Sequence, residues 1–244
     1  MQPDILRNGD VDWNQWPVDD YLREIYRELH PSDDAVLVHH SAFYRTLEPD
    51  SVATSLELGA GPNLYPLMLA AAVSRRIEAV EPSAASLDYL ERQLQADTDP
   101  SWTTFYERCR QLQPALPPSL AQALSRVHVR PGSAADLPVE HYDLGSMHFV
   151  AESCTEDINE FQDICRMFAS SVRPGGYLIA AFMENMGRYQ VGTGSQWPGC
   201  RVDQASVREA FTPLVADMTT SRVDFDTTGP DYGYTGMVLL TATR

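Results

Sequence analysis

Short apolar runs bounded by glycine, proline and acidic residues alternate along this chain with longer stretches of helical spacing. From Asp19 the positions Tyr21, Leu22, Ile25, Tyr26 and Leu29 follow a helical period behind an acidic start, which predicts a helix ended by Pro31. A second helix is predicted over residues 32–47, closed by Pro49-Asp50. The pattern changes at Ser51. Val52 to Leu58 reads as a strand entering the turn Gly59-Ala60-Gly61, and a helix follows over residues 64–74. A short strand at 77–80 then ends in Glu81-Pro82-Ser83, and a helix covers 84–95. Strand, glycine turn, helix, strand, acid and helix make a βαβα unit of a doubly wound parallel sheet.

Residues 97–125 read as a proline-punctuated helical insert. Strands are predicted at 127–129 and 142–150, a helix at 157–171, a glycine turn feeding a strand at 173–182, and a helix at 203–214. Two strand-like runs, 221–225 and 236–243, close the chain around a Gly/Pro/Asp turn. Residues 1–17, carrying Asn, Asp, Gly and two Trp, read as a loosely ordered arm.

The chain has 244 residues, enough for a sizeable core without staples. Its 34 acidic residues face 18 basic ones, all Arg, for a formal charge of -16. That balance argues against nucleic acid and anionic membrane as partners, because phosphate binding needs clustered cations. The lack of Lys also excludes Schiff-base chemistry and a GxxxxGK[ST] loop. Cys109, Cys154, Cys165 and Cys200 show no metal or disulfide spacing and no leader accompanies them, so reduced thiols and a cytoplasmic setting are expected. The longest apolar stretch, around residues 66–73, is far too short for a bilayer. The pair His39-His40 lacks partners at metal spacing, and no metal is expected.

The strongest chemical signal is the glycine turn. Without a Cβ at Gly59 and Gly61 the backbone turns sharply and approaches a ligand, while Glu81 ends the next strand where an acid accepts ribose hydroxyls. A dinucleotide fold favours a third glycine, and here that position is Leu64. S-adenosylmethionine carries no phosphate and tolerates the bulkier turn, so it is preferred to a nicotinamide cofactor.

The segments Glu57-Leu58-Gly59-Ala60-Gly61, Val80-Glu81-Pro82-Ser83 and Val172-Arg173-Pro174-Gly175-Gly176-Tyr177-Leu178 resemble class I S-adenosylmethionine-dependent methyltransferases. Gly59-Ala60-Gly61-Pro62-Asn63-Leu64-Tyr65, with Asp20-Tyr21-Leu22, Tyr26 and the later Tyr189-Gln190-Val191-Gly192, resembles the nicotinamide, phenylethanolamine and thioether methyltransferase family. The resemblance implies an α/β fold with a doubly wound, seven-stranded, mostly parallel Rossmann-like sheet and an antiparallel terminal strand. It implies an N-terminal arm and helical cap over residues 1–50 and a methyltransferase domain over 51–244.

It also implies site residues. Tyr21 and Tyr26 close over the methionine portion of the cofactor, with Tyr65 near its carboxylate. Glu57, Gly59, Gly61 and Asn63 belong to the turn, and Glu81, Pro82 and Ser83 to the ribose-binding strand end. Ser133 stands in the segment that meets adenine, where the family's Asp is shifted, and His148 lies on the methyl-donor side. For catalysis, Glu152 is expected to face the acceptor, Glu184 to add a polar contact and Tyr189 to flank the acceptor, and Tyr26, near the cofactor's carboxylate, is counted with them. Remaining acids such as Asp19-Asp20, Asp33-Asp34 and those of residues 97–99 are assigned to the surface.

Methyl transfer from a sulfonium needs alignment and exclusion of water more than a base. The expected function is therefore methylation of a nitrogen of a small molecule in specialised metabolism, by a monomer or homodimer. The alternatives are O- or S-methylation, another reaction consuming the same cofactor, and a non-catalytic S-adenosylmethionine-binding regulator.

Overall fold

Val52–Leu58 (β1) becomes the strand from which the sheet is laid out in both directions. A computed structural model of the protein describes residues 5–95, 98–225, 227 and 232–244. Residues 1–4 of the predicted arm, Asp97 and most of the last predicted turn lie outside the described residues. On one side of β1 lie Ser74–Glu81 (β2) and Val127–Pro131 (β3); on the other lie Tyr142–His148 (β4) and Val172–Glu184 (β5). All four of these neighbour pairings are parallel.

The short Tyr189–Gln190 (β6) and Gln196–Trp197 (β7) form a separate antiparallel ribbon that the sequence pattern did not predict. Asp217–Asp224 (β8) and Gly236–Thr243 (β9) complete the seven-stranded sheet, in the order β3-β2-β1-β4-β5-β9-β8. β9 inserts antiparallel between β5 and β8. The predicted doubly wound, mostly parallel sheet with antiparallel terminal pairing is thus the observed one.

Helices cover both faces. Val18–Ile25 (α1), Pro31–Tyr44 (α2), Tyr65–Ala70 (α3), Ala84–Leu94 (α4), Ser101–Leu112 (α5) and Leu120–Leu124 (α6) precede β3. Ile158–Ser171 (α7) links β4 to β5, and Gln204–Phe211 (α8) precedes β8. The period-two alternation of the strands divides the core. Leu56 and Leu58 pack with α7 and α8, whereas Leu37 of α2, Leu67 of α3 and Phe105 of α5 form the layer on the other face.

Several boundaries move from their predicted places: α2, α3 and α8 end three or four residues early, at Tyr44, Ala70 and Phe211, and β8 begins at Asp217 rather than Ser221. α1 stops at Ile25 rather than near Leu29, because Tyr26 turns inward and is buried against Trp102 and Phe105. β2 begins at Ser74 rather than Ile77, since the parallel register carries pairing back to Val52 opposite Ser74.

The arm is the larger correction. Ile5 to Trp16 are docked along the open ends of the strands. Glu156 accepts from the Leu6 N–H at 2.9 Å, Glu160 from the Asn8 N–H at 3.1 Å, and Asn14 Oδ1 from the Ala84 N–H at 2.9 Å. Trp13 stacks on Trp197 of the ribbon with centroids 5.4 Å apart, and Trp16 meets the same ring edge-on at 4.9 Å. A largely polar arm gains its order from two half-buried tryptophans packed on the buried Trp197 and from acids at the start of α7. Among the described residues no helix is long and apolar enough to cross a membrane.

Trp197→Ala removes the platform for both arm tryptophans. The expected outcome is a loss of about 3–5 kcal/mol in unfolding free energy, the usual cost of truncating a buried Trp, with new protease cleavage within residues 5–17. Chemical denaturation and limited proteolysis measure the two effects.

Candidate functional site

The strand order reverses between β1 and β4, and a crevice opens beyond their carboxyl ends. Gly59 (φ 62°) and Gly61 (φ 53°) carry the chain off β1 in the left-handed region. A Cβ on Gly59 would lie 2.7 Å from both Val150 methyl carbons, so only glycine lets the loop after β4 close against the turn.

Glu81 locks this turn to the tip of β2. Its Oε2 accepts from the Gly61 N–H at 2.9 Å and its Oε1 from the Ser83 N–H at 2.8 Å. Burial pushes the carboxyl up to about 7, partly offset by those two N–H donors. The side chain lines the cavity, with Pro82, Ser83 and Ser133 beside it. Ser133 is held by Asp136, whose Oδ2 accepts from its backbone N–H at 2.8 Å and its hydroxyl at 2.9 Å.

On the other side of the turn, Asn63 Nδ2 donates to the Tyr26 hydroxyl at 3.0 Å, and the Tyr21 and Tyr26 oxygens are 3.3 Å apart. Burial pushes the Tyr21 hydroxyl up to about 12 and that of Tyr26 well above its ordinary value, so both are neutral. Tyr189, on β6, meets Trp16 edge-on with centroids 6.0 Å apart and donates to the Ser153 carbonyl at 3.4 Å. The cavity wall therefore includes Tyr21, Tyr26, Gly59, Gly61, Asn63, Glu81, Pro82, Ser83, Ser133, His148 and Tyr189 of the predicted site.

Four predicted residues do not reach it. Phe149 has φ 58°, and this turn brings Ser153 and Cys154 to the wall while Ala151 and Glu152 point into the core. Glu152 is fully buried; its Oε1 accepts from the Met183 N–H at 2.7 Å, and its Oε2 has no hydrogen-bond partner among the described residues. Burial pushes this carboxyl up to about 8. Glu184 faces β8, where Arg222 Nε donates to its oxygens at 3.0 and 2.9 Å and Thr235 donates at 2.8 Å. Hydrogen bonding to Arg222 holds Glu184 below the usual carboxylate range.

Glu57 lies beneath the turn, because the strand period puts it on the α2 face of the sheet. Its Oε1 is 3.0 Å from His148 Nδ1, and His148 Nε2 is 3.0 Å from His40 Nδ1. His148 thus touches the cavity with both ring nitrogens engaged behind it. Tyr65, first in α3, is buried in the core and stacks on Phe105 at 6.2 Å.

The structure adds residues that sequence reasoning left out. Trp13, Trp16 and Tyr232 join Tyr21 and Tyr189 in an aromatic wall, and Met183, Met186 and Met237 line the cavity beyond β5 and β9. Asp33, predicted at the surface, is 6% exposed and lines the cavity, whereas its neighbour Asp34 pairs outward with Arg108 at 2.6 Å. The two arm tryptophans were the signal available for the wall; nothing in spacing alone separated Asp33 from Asp34. Among the described residues no group of His, Cys, Asp and Glu could hold a metal.

With this geometry in hand, comparison with known proteins gives a consistent result. The model of the NNMT/PNMT/TEMT family matches residues 9–243. No curated protein sequence matches the chain. Among solved structures, magnesium protoporphyrin IX methyltransferase (ChlM) from Synechocystis PCC 6803 is similar at 12% identity and a TM-score of 0.64, covering 100% of both chains. A DhpI complex with S-adenosylhomocysteine is similar at 16% identity and a TM-score of 0.58, covering 94% of this chain and 92% of that one. A SAM-dependent methyltransferase from Leishmania major shows 13% identity and a TM-score of 0.56, covering 95% and 83%. At such identities the likeness is one of fold.

Glu152 generates a pH signature of its own. Its carboxyl titrates higher in the folded chain than the ordinary 4.5, so the folded state holds the proton more tightly and stability falls as pH rises from that value to about 8. The slope reaches about 1.4 kcal/mol per pH unit. Glu81 contributes a similar slope only up to about 7. Thermal or urea unfolding is expected to show wild-type protein still losing stability between pH 7 and 8, and Glu152→Gln losing only the smaller remainder that Glu81 supplies as its own titration finishes.

Proposed function

This chain belongs to the NNMT/PNMT/TEMT family and is an S-adenosylmethionine-dependent methyltransferase, and from that premise we propose that it methylates a nitrogen of a small molecule held against its aromatic wall. When bound, the cofactor supplies a methyl group already activated on a sulfonium. The protein's task is then to bind, orient and exclude water.

The residues present fit that cofactor. In this reading Glu81 uses the lone pairs left after its bonds to Gly61 and Ser83 to accept two ribose hydroxyls. The crevice that a Gly59 side chain would obstruct receives the sulfonium end, and Pro82, Ser83 and Ser133 flank the base. Tyr26, fixed by Asn63, and Tyr21 cover the methionine arm. Residues 1–50 serve as the cap and 51–244 as the body that carries the turn.

The observation that carries the nitrogen assignment is the character of the acceptor side. Trp13, Trp16, Tyr21, Tyr189 and Tyr232 offer faces that suit a flat, uncharged acceptor beside the cofactor's sulfonium. Glu152 and Glu184, the two carboxylates that could have served as bases there, are turned away from the wall. An amine or heterocyclic nitrogen attacks with its own lone pair and asks for no base, whereas an alcohol must lose a proton as it attacks. Tyr189 acts here by flanking the acceptor, and the Glu152 side chain supports the loop from behind.

Isothermal calorimetry tests the cofactor half. S-adenosylmethionine is expected to bind below millimolar concentration, and Glu81→Ala to weaken it about 10- to 100-fold, the worth of hydrogen bonds to a charged group. Since the Glu81 carboxyl titrates near 7, wild-type affinity should rise from pH 6 to pH 8 as its acceptor form fills, while Glu81→Gln stays weak and flat. For the acceptor half, a panel of aromatic amines, N-heterocycles and matched alcohols is offered with labelled cofactor. Turnover confined to alcohols would sink the nitrogen assignment.

A further inference from the structure

Among the described residues the cavity wall carries two carboxylates, Glu81 and Asp33, and neither Lys nor Arg. Glu81 stands at the tip of β2 on the ribose side of the glycine turn. Asp33 stands on the opposite side, in the first turn of α2, with its side chain at the cavity. It shares that corner with the tyrosines and Asn63: the Asp33 charge acts on the hydroxyls of Tyr21, Tyr26 and Tyr65, raising each of them. In the reading proposed above, with the ribose on Glu81, this is the corner given to the cofactor's amino-acid arm, beside Tyr21 and Tyr26.

We infer that Asp33 is the carboxylate that holds the α-ammonium of S-adenosylmethionine, and so sets the protein's preference for a cofactor with a complete methionine arm. The inference rests on the reading of this cavity as the cofactor site. Three features support it. Asp33 is 6% exposed, so a cation beside it is shielded from solvent and interacts more strongly than at the surface. The ammonium is a full charge that the reaction does not consume, so a fixed anion serves substrate and product alike. The neighbouring Asn63 and tyrosines bring no charge of their own: Asn63 is tied to Tyr26 at 3.0 Å and the tyrosine hydroxyls keep their protons. Asp34, one residue on, is engaged by Arg108 at 2.6 and 3.0 Å and points elsewhere.

The test uses ligands that differ at the arm. Calorimetry compares S-adenosylhomocysteine, its deamino analogue, and 5′-methylthioadenosine, which lacks the whole amino-acid end, on wild-type protein and on Asp33→Asn. The expected result is a loss of roughly 10- to 100-fold for S-adenosylhomocysteine on Asp33→Asn, as for a charge-assisted contact, with the other two ligands unchanged within twofold. Equal losses for all three ligands would reduce Asp33 to a structural residue, and no loss for any would remove it from the site.

Should Asp33→Asn fail to fold, Asp33→Ser, which keeps a helix-start residue in the first turn of α2, carries the same comparison. Wild-type protein that binds S-adenosylhomocysteine and its deamino analogue equally well also overturns the inference. The underlying reading fails differently: wild-type affinity for 5′-methylthioadenosine would then be indifferent to Glu81→Ala.

Discussion

One carboxylate ties the functional end of this molecule together. Glu81 spans the Gly61 and Ser83 N–H groups, so the turn after β1 and the tip of β2 cannot move apart without breaking a bond to a buried acid. Those two segments are distant in sequence and adjacent only because β1 and β2 pair in parallel. The same clamp fixes the position of the Gly59 crevice against Val150, and through it the loop that brings Ser153 and Cys154 to the cavity. Burial raises the Glu81 carboxyl to about 7, so the group that organises the site is balanced between its two protonation states near neutral pH.

Around this rigid base the cover is aromatic. Trp13 and Trp16 reach the cavity from a segment with no regular hydrophobic period and are held there by Trp197, which sits on a two-stranded ribbon. Tyr21, Tyr26 and Tyr189 continue the surface through edge-to-face contacts. A wall of this type binds by shape and quadrupole and excludes water with few charges. The formal charge of -16 is mostly spent elsewhere, on surface acids and on pairs such as Asp34 with Arg108; at the cavity it reduces to Glu81 and Asp33.

The buried polar groups below the cavity mark where one-dimensional reasoning failed. Glu57, His148 and His40 form a connected row of ring and carboxylate contacts at 3.0 Å, drawn from β1, β4 and α2. Burial holds His40 well below its ordinary value, hence neutral. Glu152 is aimed at the Met183 N–H rather than at an acceptor. Glu152 had a defensible role by its position after β4, and the bend at Phe149 (φ 58°) decided which way its side chain faces, whereas Glu57 was turned beneath the sheet by the strand period alone.

The sequence by itself determined the architecture and the glycine-turn side of the cavity. Periodicity, the glycine turn and an acid at the end of β2 are local signals, because the alternation of strand and helix and the conformational freedom of glycine are written residue by residue. Glu81, Gly59, Gly61 and Asn63 were therefore legible and stand together at the cavity. The aromatic side of the cavity was decided only in three dimensions. Docking of the arm on Trp197, inward rotation of Asp33 but not Asp34, and withdrawal of Glu152 and Glu184 into other bonds depend on contacts between residues tens to well over a hundred positions apart. No local pattern encodes such contacts, because each is settled by which partner offers burial or a counter-charge once the chain has packed.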